Sequence, residues 1–266
     1  MLGHLASIVY RDGSIPLFND AALGIAPTPA ELFDYARRLG ITFKPLPLRE
    51  CGYRRLANSR VEVTADVGNI MATYQPGHSH ADTFSYELRV DGRPLVVDTG
   101  TSTYDKNARR QYERSTSAHN TVTPAPQHPS SSHVWGGFRI GRRASVAILK
   151  DEPQEVIARH DGYGRNAIHE RRFLLDDGVF RVEDRLPGAA VSWIHLSPGL
   201  RAEIVSEKDG LLRIVSDVSP QVTHLRVEHC QRIELLEDTV STEYNRLQTS
   251  QVVALHFTDR LAYTVG

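Results

Sequence analysis

From about Glu62 to the C-terminus, apolar positions recur with a period of two. Phe84, Tyr86, Leu88 and Val90 alternate with Ser85, Glu87 and Arg89, which predicts a strand with one buried face. Asp91-Gly92 supplies a hairpin turn before Leu95-Val96-Val97. Further strands are predicted at Ser145–Leu149, Glu155–Ala158, Val179–Val182, Ala190–Ile194, Leu211–Val215, Val252–Phe257 and Leu261–Tyr263. Asp177-Gly178 and Asp209-Gly210 mark turns between them. Many short strands with no helix between them predict a large antiparallel β-sandwich, the mainly β class, over residues 51–266.

Residues 1–50 follow another period. Thr28-Pro29-Ala30-Glu31 combines an N-cap threonine, a proline at the first helical position and a capping-box glutamate. Leu32, Phe33, Ala36 and Leu39 then recur at helical spacing up to Gly40, a C-cap glycine. Leu5–Tyr10 reads as the end of a second helix, with a turn-rich link over Asp12–Leu17. Pro124–Ser132 reads as a surface loop, with a lid as the alternative.

Composition narrows the partners. Among 266 residues, 31 basic and 32 acidic side chains nearly cancel, which argues against nucleic acid and anionic membrane surfaces. No apolar run approaches the ~20 residues of a membrane span. The N-terminus lacks the basic start and cleavage site of a signal peptide. Cys51 and Cys230 show no metal or disulfide spacing, so two unrelated thiols are expected. Recognition of an acidic polymer must then come from a local cluster, and Arg109, Arg110 and Arg114 are its best source.

The usable chemistry concentrates between Gly77 and Asn120. His78 and His80 are two apart, so on an extended strand they share a face. Asp98 ends the apolar run Pro94–Val97, where a carboxylate is costly to bury unless paired or bound to metal. His119 adds a third imidazole, and two histidines with Asp98 make a plausible three-ligand zinc site with one open position. Ordinary hydrogen-bonded histidines are the competing reading.

Gly77-His78-Ser79-His80-Ala81-Asp82, then Asp98-Thr99-Gly100-Thr101 with Tyr104, then Arg114–Thr121, resembles the C-terminal domain of the heparinase II/III-like polysaccharide lyases. The resemblance continues through Trp135–Arg139, His160–Tyr163, His169–Arg172 and Arg181–Asp184, and thins after about Pro198. It implies a β-supersandwich preceded, over residues 1–50, by the last helices of an α/α toroid. It implies β-elimination on a uronic-acid-containing polysaccharide, with this chain carrying one wall of the active site. His78 and Tyr104 would be catalytic, Arg110, Tyr112 and Arg114 would bind substrate, and His80, Asp98 and His119 would hold zinc or a similar divalent metal. The resemblance implies a periplasmic or secreted location and leaves self-association into homo-oligomers open. His160, His169 and His195 are expected to pack or hydrogen-bond near the sheet. The missing toroid keeps a non-catalytic glycan-binding sandwich as the alternative, and a cupin-like metal enzyme ranks last.

Overall fold

The computed structural model describes residues 1–70, 73–216 and 219–266. Three helices, α1 (Leu2–Ile8), α2 (Pro29–Arg38) and α3 (Ala108–Glu113), accompany two principal antiparallel sheets. The smaller sheet runs β1 (Tyr53–Ala57), β2 (Val61–Asp66), β3 (Tyr86–Val90), β4 (Arg93–Val96) in spatial order. Between the sheets in sequence lie β5 (Val122–Pro124) and a hairpin of β6 (Val134–Trp135) and β7 (Arg139–Ile140). The larger sheet uses β8 (Val146–Glu152), β9 (Glu155–His160), β10 (His169–Asp176) and β11 (Val179–His195). It is completed by β12 (Leu200–Ser206), β13 (Leu211–Ser216), β14 (Ser219–Glu243) and β15 (Arg246–Val265). Its order is β12-β13-β14-β15-β11-β10-β9-β8, with β5 added against β11.

One core lies between the sheets. Leu56, Val63, Tyr86 and Leu88 of the small sheet meet Phe173, Phe180, Leu255 and Tyr263 of the large one. The Tyr86 ring sits 5.9 Å from Phe173 and 5.4 Å from Phe180, and the Tyr263 hydroxyl donates to that of Tyr86 at 3.1 Å. The Asp91-Gly92 turn forms as expected, with φ of 50° and 76°, both in the left-handed region that a tight primed hairpin needs.

Helix α2 starts and stops where its caps predict. Thr28 accepts from the Glu31 amide and Glu31 reaches back to the Thr28 amide. Two strand expectations merge, however. Val179–Val182 and Ala190–Ile194 belong to one strand, β11, bent by a bulge between Leu186 and Ala189 at Pro187-Gly188. Val252–Phe257 and Leu261–Tyr263 likewise belong to β15.

The expectation of one buried face on β3 fails. All five residues of β3 are buried, because the N-terminal arm covers its outer side. Glu87 accepts from the Tyr10 hydroxyl at 3.2 Å and from the Leu17 amide at 2.8 Å. Arg89 pairs with Asp12, donates to Ser14 at 2.7 Å, and lies 4.1 Å over the Tyr10 ring. Phe18 stacks on Tyr53 at 5.3 Å. The polar face of β3 is therefore an interior, paired face.

Pro124–Ser132 is not wholly a surface loop either. Ser131 and Ser132 are buried, and the Ser131 amide donates to Thr116 at 2.9 Å.

Behind the core, four side chains form a closed relay. The Gly162 amide donates to His160 Nδ1 (3.0 Å), so the His160 proton sits on Nε2 and goes to His169 Nδ1 (3.1 Å). His169 Nε2–H then donates to Asp184 (2.8 Å), whose carboxylate also takes a two-pronged contact from Arg171 at 2.7 and 2.8 Å. Protonating either histidine would set donor against donor. Burial pushes both pKa values below the ordinary value, as it does for His195, which falls to about 4. The folded state thus binds fewer protons than the unfolded chain. Stability is fully present above the unfolded histidine pKa, roughly 6.5, and falls as pH drops below it. A melting temperature clearly lower at pH 5 than at pH 7.5 is expected by circular dichroism. An unchanged one would remove the relay's neutral tautomers from the account.

Candidate functional site

The site is organised by Asp20, which sits beside Asn19 in the N-terminal arm. Asn19 adopts φ 58°, and its side-chain oxygen accepts from the His80 amide at 2.9 Å. This presents the neighbouring Asp20 carboxylate to four side chains. His78 Nδ1 and His80 Nε2 each lie 2.8 Å away, Arg110 reaches both oxygens at 2.5 and 2.8 Å, and the Thr101 hydroxyl donates at 3.1 Å. Burial would raise the Asp20 pKa, but His80 and Arg110 outweigh it and hold the carboxyl far below its usual range. Asp20 is therefore an acceptor only, and both imidazoles must donate to it. For His78, 64% exposed at its side chain, this leaves Nε2 turned to the open side with its lone pair. For His80, which is wholly buried and held neutral by burial with a pKa of about 4, the lone pair is on Nδ1, an atom with no partner.

Tyr104 and Phe138 frame His78. Their ring centroids lie 6.0 and 6.1 Å from the imidazole, and 5.5 Å from each other. Phe138 is carried by the tip of the β6–β7 hairpin. Arg110 lies under both rings, 5.1 Å from Tyr104 and 5.4 Å from Phe138. The Tyr104 hydroxyl has no hydrogen-bond partner among the described residues. Burial, then the nearby Asp20 charge, raises its pKa, so it stays protonated at neutral pH.

His80 and His119 lie side by side, ring centroids 5.3 Å apart. Asp98 stands behind His119, its Oδ2 taking Nδ1 at 2.8 Å while Oδ1 takes the Gly100 amide at 3.0 Å. Gly100 permits this crossing: at φ +69°, a Cβ there would lie 2.0 Å from the Ser241 carbonyl. Burial would lower the His119 pKa, but the Asp98 charge and hydrogen bond raise it overall. Among the described residues, His119 Nε2 and Asp82 Oδ2 are buried without partners, like His80 Nδ1. Two imidazoles, each backed by a carboxylate and each with its far nitrogen unspent, are the donor chemistry of a divalent metal with its outer shell. Among the described residues, though, no three His, Cys, Asp or Glu side chains converge as a metal cage. Asp98, expected as a direct ligand, has both oxygens engaged.

Arg109, Arg110 and Arg114, expected to recognise an acidic polymer, are turned inward by helix α3. Asn107 caps that helix, accepting from the Arg110 amide at 2.9 Å. Arg110 is buried and spent on Asp20 and the Gly137 carbonyl. Arg114 is buried too, donating to the carbonyls of Ser79 and Arg139, and burial lowers its pKa to about 10. Arg109 is held by Glu113 at 2.8 Å and by Thr239. The Tyr112 hydroxyl donates to Asp238, and burial raises its pKa strongly. Arg110, Tyr112 and Arg114 therefore brace the site from inside and leave no free donor in the cleft. His160 and His169 are hydrogen-bonded in the relay, and His195 lies 3.2 Å from the Asn120 side chain, as expected of packing histidines. Cys51 and Cys230 are free thiols.

Asp20 escaped the sequence reading because Asn19-Asp20 belongs to no pattern and lies 58 residues before His78. The only signal was indirect: a histidine needs an orienting partner, and any of many carboxylates fits that demand.

The profile of the family described as "Heparinase II/III-like, C-terminal" matches residues 42–263. No curated protein matches the chain. Among solved structures, the heparan sulfate lyase HepC of Pedobacter heparinus superposes with a TM-score of 0.72 at 16% identity, over 98% of this chain and 45% of its own. A heparinase III gives 0.72 at 16% identity over 99% and 46%. The chain thus spans under half the length of these two structures. At that identity the likeness shows the fold. No described helix is long and apolar enough to cross a membrane. With the profile covering most of the chain, including every residue of the His78–His119 cluster except Asp20 and its neighbour Asn19, this protein belongs to the heparinase II/III-like family.

Proposed function

We propose that this chain forms the β-sandwich wall of a polysaccharide lyase that cleaves a uronic-acid-containing polysaccharide by β-elimination. One observation carries the reading: His78, oriented by Asp20 through Nδ1, keeps Nε2 uncommitted, with the Tyr104 ring centroid 6.0 Å from its own. In the elimination, His78 Nε2 takes the C5 proton and the C5–H pair becomes the C4=C5 double bond. The C4–O bond breaks, and the departing oxygen receives the Tyr104 proton. Asp20 stabilises the imidazolium that forms, and Arg110 fixes Asp20 and underlies the Tyr104 ring. An acid or base so placed contributes roughly 10²–10⁴-fold. The opposite wall would come from an α/α toroid, which fits a chain under half the length of its structural relatives. A periplasmic or secreted location belongs to the same proposal.

A zinc-like cation would be held by His80 and His119 through their unspent nitrogens, with Asp98 orienting His119 and Asp82 offering its free oxygen. Such a cation supplies structural pinning beneath the cleft. Metal analysis of the purified chain is expected to find near-stoichiometric zinc, lost in His80→Ala. In Asp98→Ala, affinity should weaken by about 10–100-fold, as for an orienting partner. A folded, metal-free wild type would refute the cation site.

The activity test joins the chain to a toroid domain and follows unsaturated uronate by ultraviolet absorbance. Product formation that disappears in His78→Ala supports the lyase. Glycan binding without product in the joined protein would leave a glycan-binding sandwich in its place.

A further inference from the structure

Three arginines gather near the stem of the β6–β7 hairpin. Arg142, Arg143 and Arg165 line a groove of about 400 Å³ with Ser130, Asp161 and Tyr163. Elsewhere on the sheet, arginines such as Arg172, Arg181 and Arg213 are held by glutamates. Among the described residues, the side chains of Arg142 and Arg165 have neither a hydrogen bond nor an ion pair, and both residues are exposed. Arg143 donates only to the Thr73 carbonyl, at 3.0 Å. The one carboxylate in the lining, Asp161, is partly occupied by the Ser145 amide at 2.8 Å. Three positive charges against one negative leave the groove at +2. Guanidinium forks facing one space repel each other unless an anion sits between them, and they match carboxylate or sulfate in two-pronged fashion.

The groove is joined to the His78 cleft by the hairpin itself. Its tip carries Phe138 against His78. Its stem is closed by the His133 amide donating to the Arg142 carbonyl, and the Gly141 amide to that of His133, both at 2.8 Å. Phe138 to Arg142 is four residues, about 13 Å of extended chain. Along that path the Trp135 indole is 38% exposed and stacks on His133 at 4.7 Å. This is an aromatic and basic track leading away from the cleft.

We infer that the Arg142–Arg143–Arg165 groove is a subsite for the carboxylate or sulfate of an acidic saccharide whose neighbouring units lie at His78. The class of ligand rests on the lyase reading. The test is calorimetric titration of a heparin-derived tetrasaccharide and an unsulfated oligouronate into the wild type and Arg142→Gln/Arg165→Gln. At low salt, the arginine pair should weaken binding by about tenfold or more, an effect that shrinks as salt screens the charges. The double variant should keep its melting temperature, since both side chains are exposed and without partners among the described residues. Loss for both saccharides assigns carboxylate recognition, and loss for the sulfated one alone assigns sulfate. Unchanged binding in the double variant, no binding by the wild type, or equally effective competition by inorganic triphosphate would overturn the subsite. Failure of the lyase reading shows itself separately, as absence of elimination by the toroid-joined protein.

Discussion

Arg171→Met is expected to destabilise the fold by roughly 3–5 kcal/mol, the usual cost of removing one partner from a buried ion pair. Arg171 is fully buried. Besides its two contacts to Asp184, it donates to the carbonyls of Phe84 (2.9 Å) and Asn120 (2.7 Å), and to Ser192 at 3.2 Å. The substitution strands the Asp184 charge with only His169 to meet it, and it removes a donor that ties the β3 approach and the His119-Asn120 segment to the large sheet. Against a total stability of ~5–15 kcal/mol, this is a large share of the margin. Urea titration gives the number, from the shift in midpoint at unchanged slope. A loss below about 1 kcal/mol would mean that the relay is decoration on an already sufficient core.

The second large effect concerns Asp20. In the toroid-joined protein, Asp20→Asn should lower kcat by about 10²–10⁴-fold, comparable to His78→Ala, because an amide can turn its NH₂ to Nδ1 and select the wrong tautomer. Asp20 also holds Arg110 and His80, so loss of activity alone would not separate orientation from collapse. Two readouts do. The loss in Asp20→Asn should fall on kcat with KM little changed, since orientation of His78 is lost and not substrate binding. In His78→Ala, where only an exposed ring is removed, the melting temperature should hold while kcat falls. A variant at position 20 that keeps kcat and merely raises KM would reject Asp20 as the orienting group.

The sandwich was legible from alternation and Gly-bearing turns, because those signals are local. Helix α2 was legible for the same reason, its caps being written within four residues. What could not be read depended on partners far along the chain. The outer face of β3 looks solvent-facing, since Ser85, Glu87 and Arg89 are polar; only the distant Tyr10–Leu17 arm makes them interior. Arg110 and Arg114 were expected to meet substrate, yet helix α3 aims them at carbonyls and at Asp20. β14 was missed because bulges around Cys230, with His229 at φ 62°, break its alternation. The cluster of His78, His80, Asp98 and His119 was foreseen as a group. The carboxylate that orders it was not.

That carboxylate has a consequence for how the site comes and goes. Asp20 closes contacts with His78 and Arg110 across 58 and 90 residues of chain, so the site is completed only after the sandwich exists for the arm to dock on. The arm is held by Arg11, Asp12 and Ser14 as well as by Tyr10, Leu17, Phe18, Asn19 and Asp20. Its release is a local opening whose free energy need not approach that of global unfolding. A population of intact sandwiches with an undocked arm would be folded by every bulk measure and yet lack a working His78. The fraction of competent molecules is thus set by the docking equilibrium of some twenty residues at the start of the chain, a quantity distinct from the protein's stability.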